Sequence, residues 1–217
     1  FNIQSEIARA ITGRLRATLT GAEEERLARV PTENTEAYSA YLLGRERLRD
    51  RKVAELRDAV DQFARAIQLD SQFAQAYAGL ADACGLYASY SGGQSNEHCP
   101  ESLAEREQLA RKALSIDDEM GEAWVTLGRI RTIQAATQGG GPDEMWLIRE
   151  AQAAFKKGID LSPSFSQAYD WYASSLLYIY SYDDPPNGWL TAWENGHWQS
   201  VVENGLAVDP LSMGLHS

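Results

Sequence analysis

Apolar and small residues recur along the chain at the three- and four-residue intervals of amphipathic helices, not at the two-residue interval of strands. The clearest run is Leu56, Ala59, Val60, Phe63, Ala66 and Ile67. The pattern predicts four successive helix pairs. The first helices of the pairs are predicted over 35–49, 73–90, 120–137 and 165–180, and the second helices over 54–69, 101–116, 144–161 and 195–208.

Two short sequence motifs recur at the same places in each helix pair. A polar residue, Ala and an aromatic residue open each first helix, and the aromatic residues are Tyr38, Tyr77, Trp124 and Tyr169. A second motif lies at the end of each second helix. In it, Ile, Leu or Val is followed within two residues by Asp, Ser or Pro. The aromatic residues lie 39, 47 and 45 positions apart, more than the roughly 34 of a minimal helix-turn-helix repeat. The extra residues fall between the two helices of a pair and predict a loop-rich rim at 91–100, 138–142 and 182–189.

These positions resemble the tetratricopeptide repeat (TPR), and the third unit carries the resemblance best with Trp124, Leu127, Gly128, Ala151, Phe155, Gly158 and Pro163. The resemblance implies an all-α fold, a right-handed α-α superhelix of about four helix pairs with long loops inside the repeats. It divides the chain into a linker at 1–34 and a repeat domain at 35–217. The units of that domain are 35–71, 72–118, 119–163, 164–210 and the start of a truncated unit at 211–217.

The N-terminal segment carries a second resemblance, through 1–11 and 30–45. It is similar to the junction in bacterial signalling proteins where a TolB-like domain leads into TPR repeats. Such proteins often hold a DNA-binding domain, a nucleotide cyclase or a protein kinase further upstream. The resemblance implies a sensory or regulatory module. Separately, the helical pattern is already under way at Phe1, so we expect the N-terminus of the protein to lie upstream of it.

The charge balance narrows the range of partners. Against 20 Lys and Arg the chain has 31 Asp and Glu, a formal net charge of −11, so the average field repels phosphate backbones and we expect no nucleic acid to bind this segment. The densest basic run, from Arg45 to Arg57, is interrupted by acids and is interpreted as a solvated helix end. No run approaches the roughly 20 apolar residues that cross a bilayer, so we expect no direct membrane insertion.

Groups suited to catalysis or metal binding are few. Cys84 lies in an apolar helical stretch that predicts a small buried thiol, and Cys99 lies fifteen positions on with no CxxC pair, which argues against a zinc site. The three histidines are scattered at His98, His197 and His216, and the chain has none of the GxSxG, HExxH or phosphate-loop motifs. We therefore expect no enzyme activity, no metal and no cofactor. A cytoplasmic location is favoured, and the periplasmic side of a membrane-anchored protein is the alternative.

Recognition of a protein or peptide partner is the expected function, because stacked helix pairs leave a concave face lined by their first helices. The predicted partner-binding residues are Arg47, Asp82, Arg129, Asp170, Trp171, Ser174 and Tyr178. An oligomerisation scaffold, and the C-terminal region of an enzyme with an upstream catalytic domain, are the alternatives. The aromatic cluster from Trp171 to Trp198 is open to three interpretations: core, exposed anchor, or interface with a missing repeat.

Overall fold

A computed structural model describes residues 31–138, 142–183 and 197–210, with side chains for all of these but 138, 142–145 and 178–183. Every regular element in these ranges is helical. The helices are α1 (Thr35–Arg47), α2 (Val53–Leu69), α3 (Ala74–Tyr90), α4 (Leu103–Ile116), α5 (Gly121–Gln138), α6 (Pro142–Leu161), α7 (Ser166–Asp183) and α8 (His197–Val208). A 3-10 turn, Leu48–Asp50, follows α1. The predicted all-α helical-repeat solenoid is confirmed. The predicted linker before residue 31 and the truncated unit at 211–217 lie outside the described residues.

Local hydrogen bonds explain where individual helices begin. The side-chain oxygen of Asn34 accepts hydrogen bonds of 3.0 Å from the backbone N–H groups of Glu36 and Ala37, which satisfies two donors at the start of α1. Ser102 and Glu105 form a reciprocal capping box at the start of α4. At these two helix starts, the N–H groups that lack a partner within the helix are therefore partly satisfied by side chains close in sequence.

Close helix approach in the first two pairs depends on Phe63, which is fully buried on α2. Its ring lies where a Cβ on Gly44 or Gly79 would stand, 2.9 and 2.6 Å from the nearest ring carbon. Only the absence of a side chain at these two positions lets α1 and α3 close on the ring. Phe155 on α6 holds the matching place in the third pair, where it stacks on Tyr172 with 5.3 Å between ring centroids.

The loop from Ser91 to Ser102 is linked to α3 by a disulfide between Cys84 and Cys99. Cys84 is fully buried, as the sequence predicts, but the prediction of a free thiol is wrong. Asn96 in the loop donates a hydrogen bond to Asp61 on α2. The first predicted rim segment is therefore a loop held against two helices.

The other predicted rim segments differ from that loop. In the third pair, α5 extends to Gln138 and α6 begins at Pro142, so most of the extra residues lengthen the two helices, and 139–141 lie outside the described residues. Most of the segment 182–189 also lies outside them. Within the described ranges, no helix is long and apolar enough to span a membrane.

Candidate binding groove

A narrow groove runs across the first helices of all four pairs. It encloses a cavity of about 50 Å3. The side chains that give it chemical character are Tyr41 and Arg45 from α1, Asp82 from α3, Glu122 and Thr126 from α5, and Trp171 from α7. Equivalent helices of a solenoid line the same surface, so each pair contributes to this one face.

Three side chains connect successive repeats along the groove. The guanidinium Nη2 of Arg129 on α5 lies 2.6 Å from Oδ1 of Asp82 on α3, and it also donates to the backbone carbonyl of Asp82 at 3.1 Å. The same guanidinium lies over the ring of Trp171 on α7, with Cζ 4.6 Å from the ring centroid. Trp171 in turn meets Phe165 edge to face. A continuous set of contacts therefore joins the second, third and fourth pairs.

The groove holds ionisable groups in a partly dry setting. Burial raises the pKa of Asp82, and the positive charges of Arg129, Arg51 and Arg45 oppose that rise without cancelling it. Burial likewise raises the pKa of Tyr41, whose hydroxyl accepts a hydrogen bond of 2.9 Å from Arg45. Fixed aromatic faces beside guanidinium and carboxylate groups form a surface suited to selective binding of side chains.

Several predicted site residues meet in this groove. Asp82 and Trp171 line it, and Arg129 contacts both. Arg47 lies elsewhere, because its guanidinium pairs with Glu55 at 3.0 Å and with Asp58 at 2.8 Å, both on α2.

The remaining predicted residues lie on α7. Ser174 is exposed and donates to the backbone carbonyl of Asp170 within the same helix. Tyr178 lies in α7, with its side chain outside the described set. A binding role for these residues and for Arg47 stays a prediction.

The C-terminal aromatic cluster divides between groove and core. Trp171 and Trp198 both pack against the core cluster of the third and fourth pairs, and Trp171 also lines the groove. Trp189 and Trp193 lie outside the described residues. The core interpretation therefore applies to both residues, and the surface interpretation has additional support at Trp171, which reaches the groove.

Of the six residues that give the groove its chemical character, four were not predicted from the sequence: Tyr41, Arg45, Glu122 and Thr126. Tyr41 and Arg45 are one helical turn apart, so their shared face is visible in the sequence. The twist of the stack, which brings the end of α1 opposite the start of α7, is not visible in the sequence. Glu122 and Thr126 have the same four-residue spacing on α5, and a search for polar residues at that spacing in each first helix would have found them.

No family model matches the chain, and no curated protein matches it. Among solved structures, the chain is similar to YrrB, described as "a TPR protein with an unusual peptide-binding site". The identity is 15%, the match covers 86% of this chain and 91% of that one, and the TM-score is 0.39.

Proposed function

We propose that this chain is a non-catalytic protein-interaction module that holds a peptide or protein partner in the groove formed by its first helices. The observation that carries the proposal is the chain of contacts from Asp82 through Arg129 to Trp171, which fixes an aromatic face and charged groups across three repeats. A preformed surface of this kind loses little conformational entropy when a ligand binds.

The proposal extends to a role as the sensory or regulatory part of a larger bacterial signalling protein. Its support is the resemblance of 1–11 and 30–45 to the segment that follows a TolB-like domain. An upstream cyclase or kinase would then supply the catalytic activity. The full-length reading frame tests this part of the proposal, because a signalling role requires an effector domain in it.

Selection from a displayed library of random peptides tests the groove directly. Peptides enriched on the wild-type chain are synthesised, and their affinities are measured by calorimetry on wild-type, Trp171→Ala and Tyr90→Ala chains. Tyr90 is an exposed aromatic residue at the far end of α3, so it is the matched control. We expect Trp171→Ala to weaken binding about 10-fold or more, since a truncated aromatic hot spot costs about 2 kcal/mol, and Tyr90→Ala to leave it unchanged. Equal binding by all three chains, or no enrichment, would contradict the proposal.

An oligomerisation scaffold is the alternative. Part-exposed Val202 and Leu206 and exposed Val208 follow one another along α8, the last described helix. Sedimentation velocity across a wide concentration range separates the two functions, because a pure scaffold must self-associate. A chain that stays monomeric and binds peptide supports the interaction module.

A further inference from the structure

The groove opens at one end into a wider cavity between the first and fourth pairs, which we call the mouth. It has a volume of about 680 Å3, within the roughly 300–1,000 Å3 typical of ligand sites. Arg45, Leu48, Phe165 and Gln167 line both the narrow groove and the mouth. A ligand in the groove can therefore extend into the mouth without leaving the surface.

Arginines concentrate at the mouth. Arg45, Arg49 and Arg51 line its α1 side, together with Glu46, and Asp209 lies on the opposite side. Three guanidiniums against two carboxylates give a local positive excess on a chain with a net charge of −11. The mouth is thus distinguished from the average surface by the sign of its charge.

Side chains elsewhere in the fold hold Arg47 and Arg57 of the same run, and Arg45 donates to the Tyr41 hydroxyl, which separates these three from Arg49 and Arg51. Arg47 pairs with Glu55 and Asp58, and Arg57 donates hydrogen bonds to Tyr87 and Gln94. Arg49 and Arg51 form no ion pair with any residue that the structure describes. The basic run that the sequence presents as one solvated helix end therefore divides into structural arginines and arginines available to a ligand.

The backbone at Arg51 supports the same division. Its φ is 54°, and in the described ranges it is the one non-glycine residue with a positive φ. Glycine is the usual residue where a helix ends in this left-handed conformation. An arginine that keeps a strained conformation beside a cavity is consistent with a function for its side chain.

Apart from Asp209, the opposite wall of the mouth is uncharged and mixed in polarity. Ser164, Ser166 and Gln167 supply hydrogen-bonding groups, and Phe165 supplies an apolar surface beside Trp171. A ligand that matches both walls has carboxylates on one side and an apolar side chain on the other. An extended peptide meets this requirement, because successive side chains of an extended chain point in opposite directions.

We propose that the mouth binds an extended acidic segment of the partner protein, with its carboxylates on Arg45, Arg49 and Arg51 and an apolar side chain against Phe165. The proposal rests on the proposed function and names the chemistry of the partner. Guanidinium–carboxylate pairs at a groove edge give specificity and salt dependence to binding.

Fluorescence anisotropy with labelled synthetic peptides tests it. The acidic probe is a decapeptide of alternating Glu and apolar residues, and the neutral probe has Gln in place of each Glu. Two variants remove the same charge: Arg49→Gln with Arg51→Gly at the mouth, and Arg65→Gln with Arg149→Gln at exposed positions on α2 and α6. Arg51→Gly suits the left-handed backbone, so the mouth variant should fold at least as stably as wild type.

At about 50 mM salt we expect the acidic probe to bind wild type about 10-fold more tightly than the neutral probe, and this preference to shrink by about 300 mM salt. The mouth variant should lose about 5- to 10-fold in affinity for the acidic probe, as expected for two exposed ion pairs. The control variant should bind like wild type.

Three results overturn the proposal: equal binding of the two probes, equal losses in the mouth and control variants, or binding of a poly-dT oligonucleotide in place of the acidic probe. If the two probes bind equally and Trp171→Ala abolishes binding of both, the acidic preference fails while the proposed function stands. If neither probe binds, the acidic preference fails, and the library selection decides the proposed function separately.

Discussion

Arg129 on α5 and Asp82 on α3 form a buried ion pair, with 2.6 Å between Nη2 and Oδ1. Their side chains are 12% and 11% exposed. A pair so far removed from solvent differs from a surface salt bridge, because losing one partner leaves the other charge poorly hydrated and without its nearest counter-charge.

Arg129→Met should therefore lower the free energy of unfolding by about 3 kcal/mol at pH 7, measured by urea denaturation. Burial already raises the pKa of Asp82, and without Arg129 it should rise further. The folded state then binds a proton at a higher pH than the unfolded state, so the stability of the variant falls as pH rises and recovers as pH is lowered from 7.

The double variant Asp82→Asn with Arg129→Met is the control for this prediction. It carries no buried charge at either position, so it should lie within about 1 kcal/mol of wild type and show no such recovery at low pH. Equal and pH-independent losses in the single and double variants would contradict the argument.

The stability that Glu107 on α4 contributes should depend on pH in the opposite direction. Desolvation favours its neutral form, but hydrogen bonds from Gln134, Arg111 and Arg131 outweigh it and hold the pKa of Glu107 below its usual value. A carboxyl with a lowered folded-state pKa stabilises the fold above its unfolded pKa of about 4.3, and this contribution is lost as pH falls through the folded pKa.

Glu107→Gln should cost about 2 kcal/mol near pH 7, because charged hydrogen bonds are replaced by neutral ones. The difference from wild type should shrink below about pH 4. Glu203→Gln, at an exposed position on α8, is the matched control and should follow wild type throughout. A Glu107→Gln deficit that persists unchanged at pH 3 would show that the charge is not its source.

The disulfide predicts a redox-dependent stability. It closes a loop across 15 positions, and loop-closure entropy assigns about 3 kcal/mol to a crosslink of that length. A reductant should lower the denaturation midpoint of wild type and expose the 91–102 loop to proteolysis after Glu97 and Glu101. The Cys84→Ala, Cys99→Ala variant should have the same denaturation midpoint as reduced wild type, and that midpoint should not change when the reductant is added. A wild-type midpoint unchanged after verified reduction would disprove the stabilising role.

The contact of Gly79 with Phe63 predicts a coupling between two positions. Gly79→Ala should destabilise the fold by about 1–2 kcal/mol, because overpacking against the buried ring exceeds the roughly 1 kcal/mol that alanine gains in a helix. Phe63→Leu should cost less in the Gly79→Ala background than alone, since the smaller side chain makes room for the new methyl group. Additive losses in this double-mutant cycle would contradict the clash.

The sequence predicted the helices closely, because periodicity and turn residues are local signals. All eight described helices begin and end within about two or three residues of their predicted bounds. Differences of this size are usual at helix ends, which fray. The disulfide was missed because Cys84 in an apolar helix predicts a buried residue whether or not Cys99 folds back on it. Whether Cys99 comes close to Cys84 depends on tertiary contacts, such as the hydrogen bond from Asn96 to Asp61.

The site was predicted less well than the fold. Asp82 and Arg129 hold equivalent repeat positions, five residues after Tyr77 and Trp124. Trp171 lies two residues after Tyr169 on the first helix of the fourth unit, so the pattern indicated its helix but not its exact position. Arg47 lies nine residues after Tyr38, one helical turn beyond the equivalent position, and its guanidinium pairs with Glu55 and Asp58 on α2. Choosing between a groove and a neighbouring helix requires the positions of side chains that are distant in sequence.

The Cys84–Cys99 bond also determines how the domain would extend under mechanical load. When the two ends are pulled apart, residues between the cysteines cannot lengthen while the bond is intact. At about 3.4 Å per extended residue, the oxidised chain should release roughly 50 Å less contour length than the reduced one. The two redox forms of one folded domain would thus give different force–extension traces.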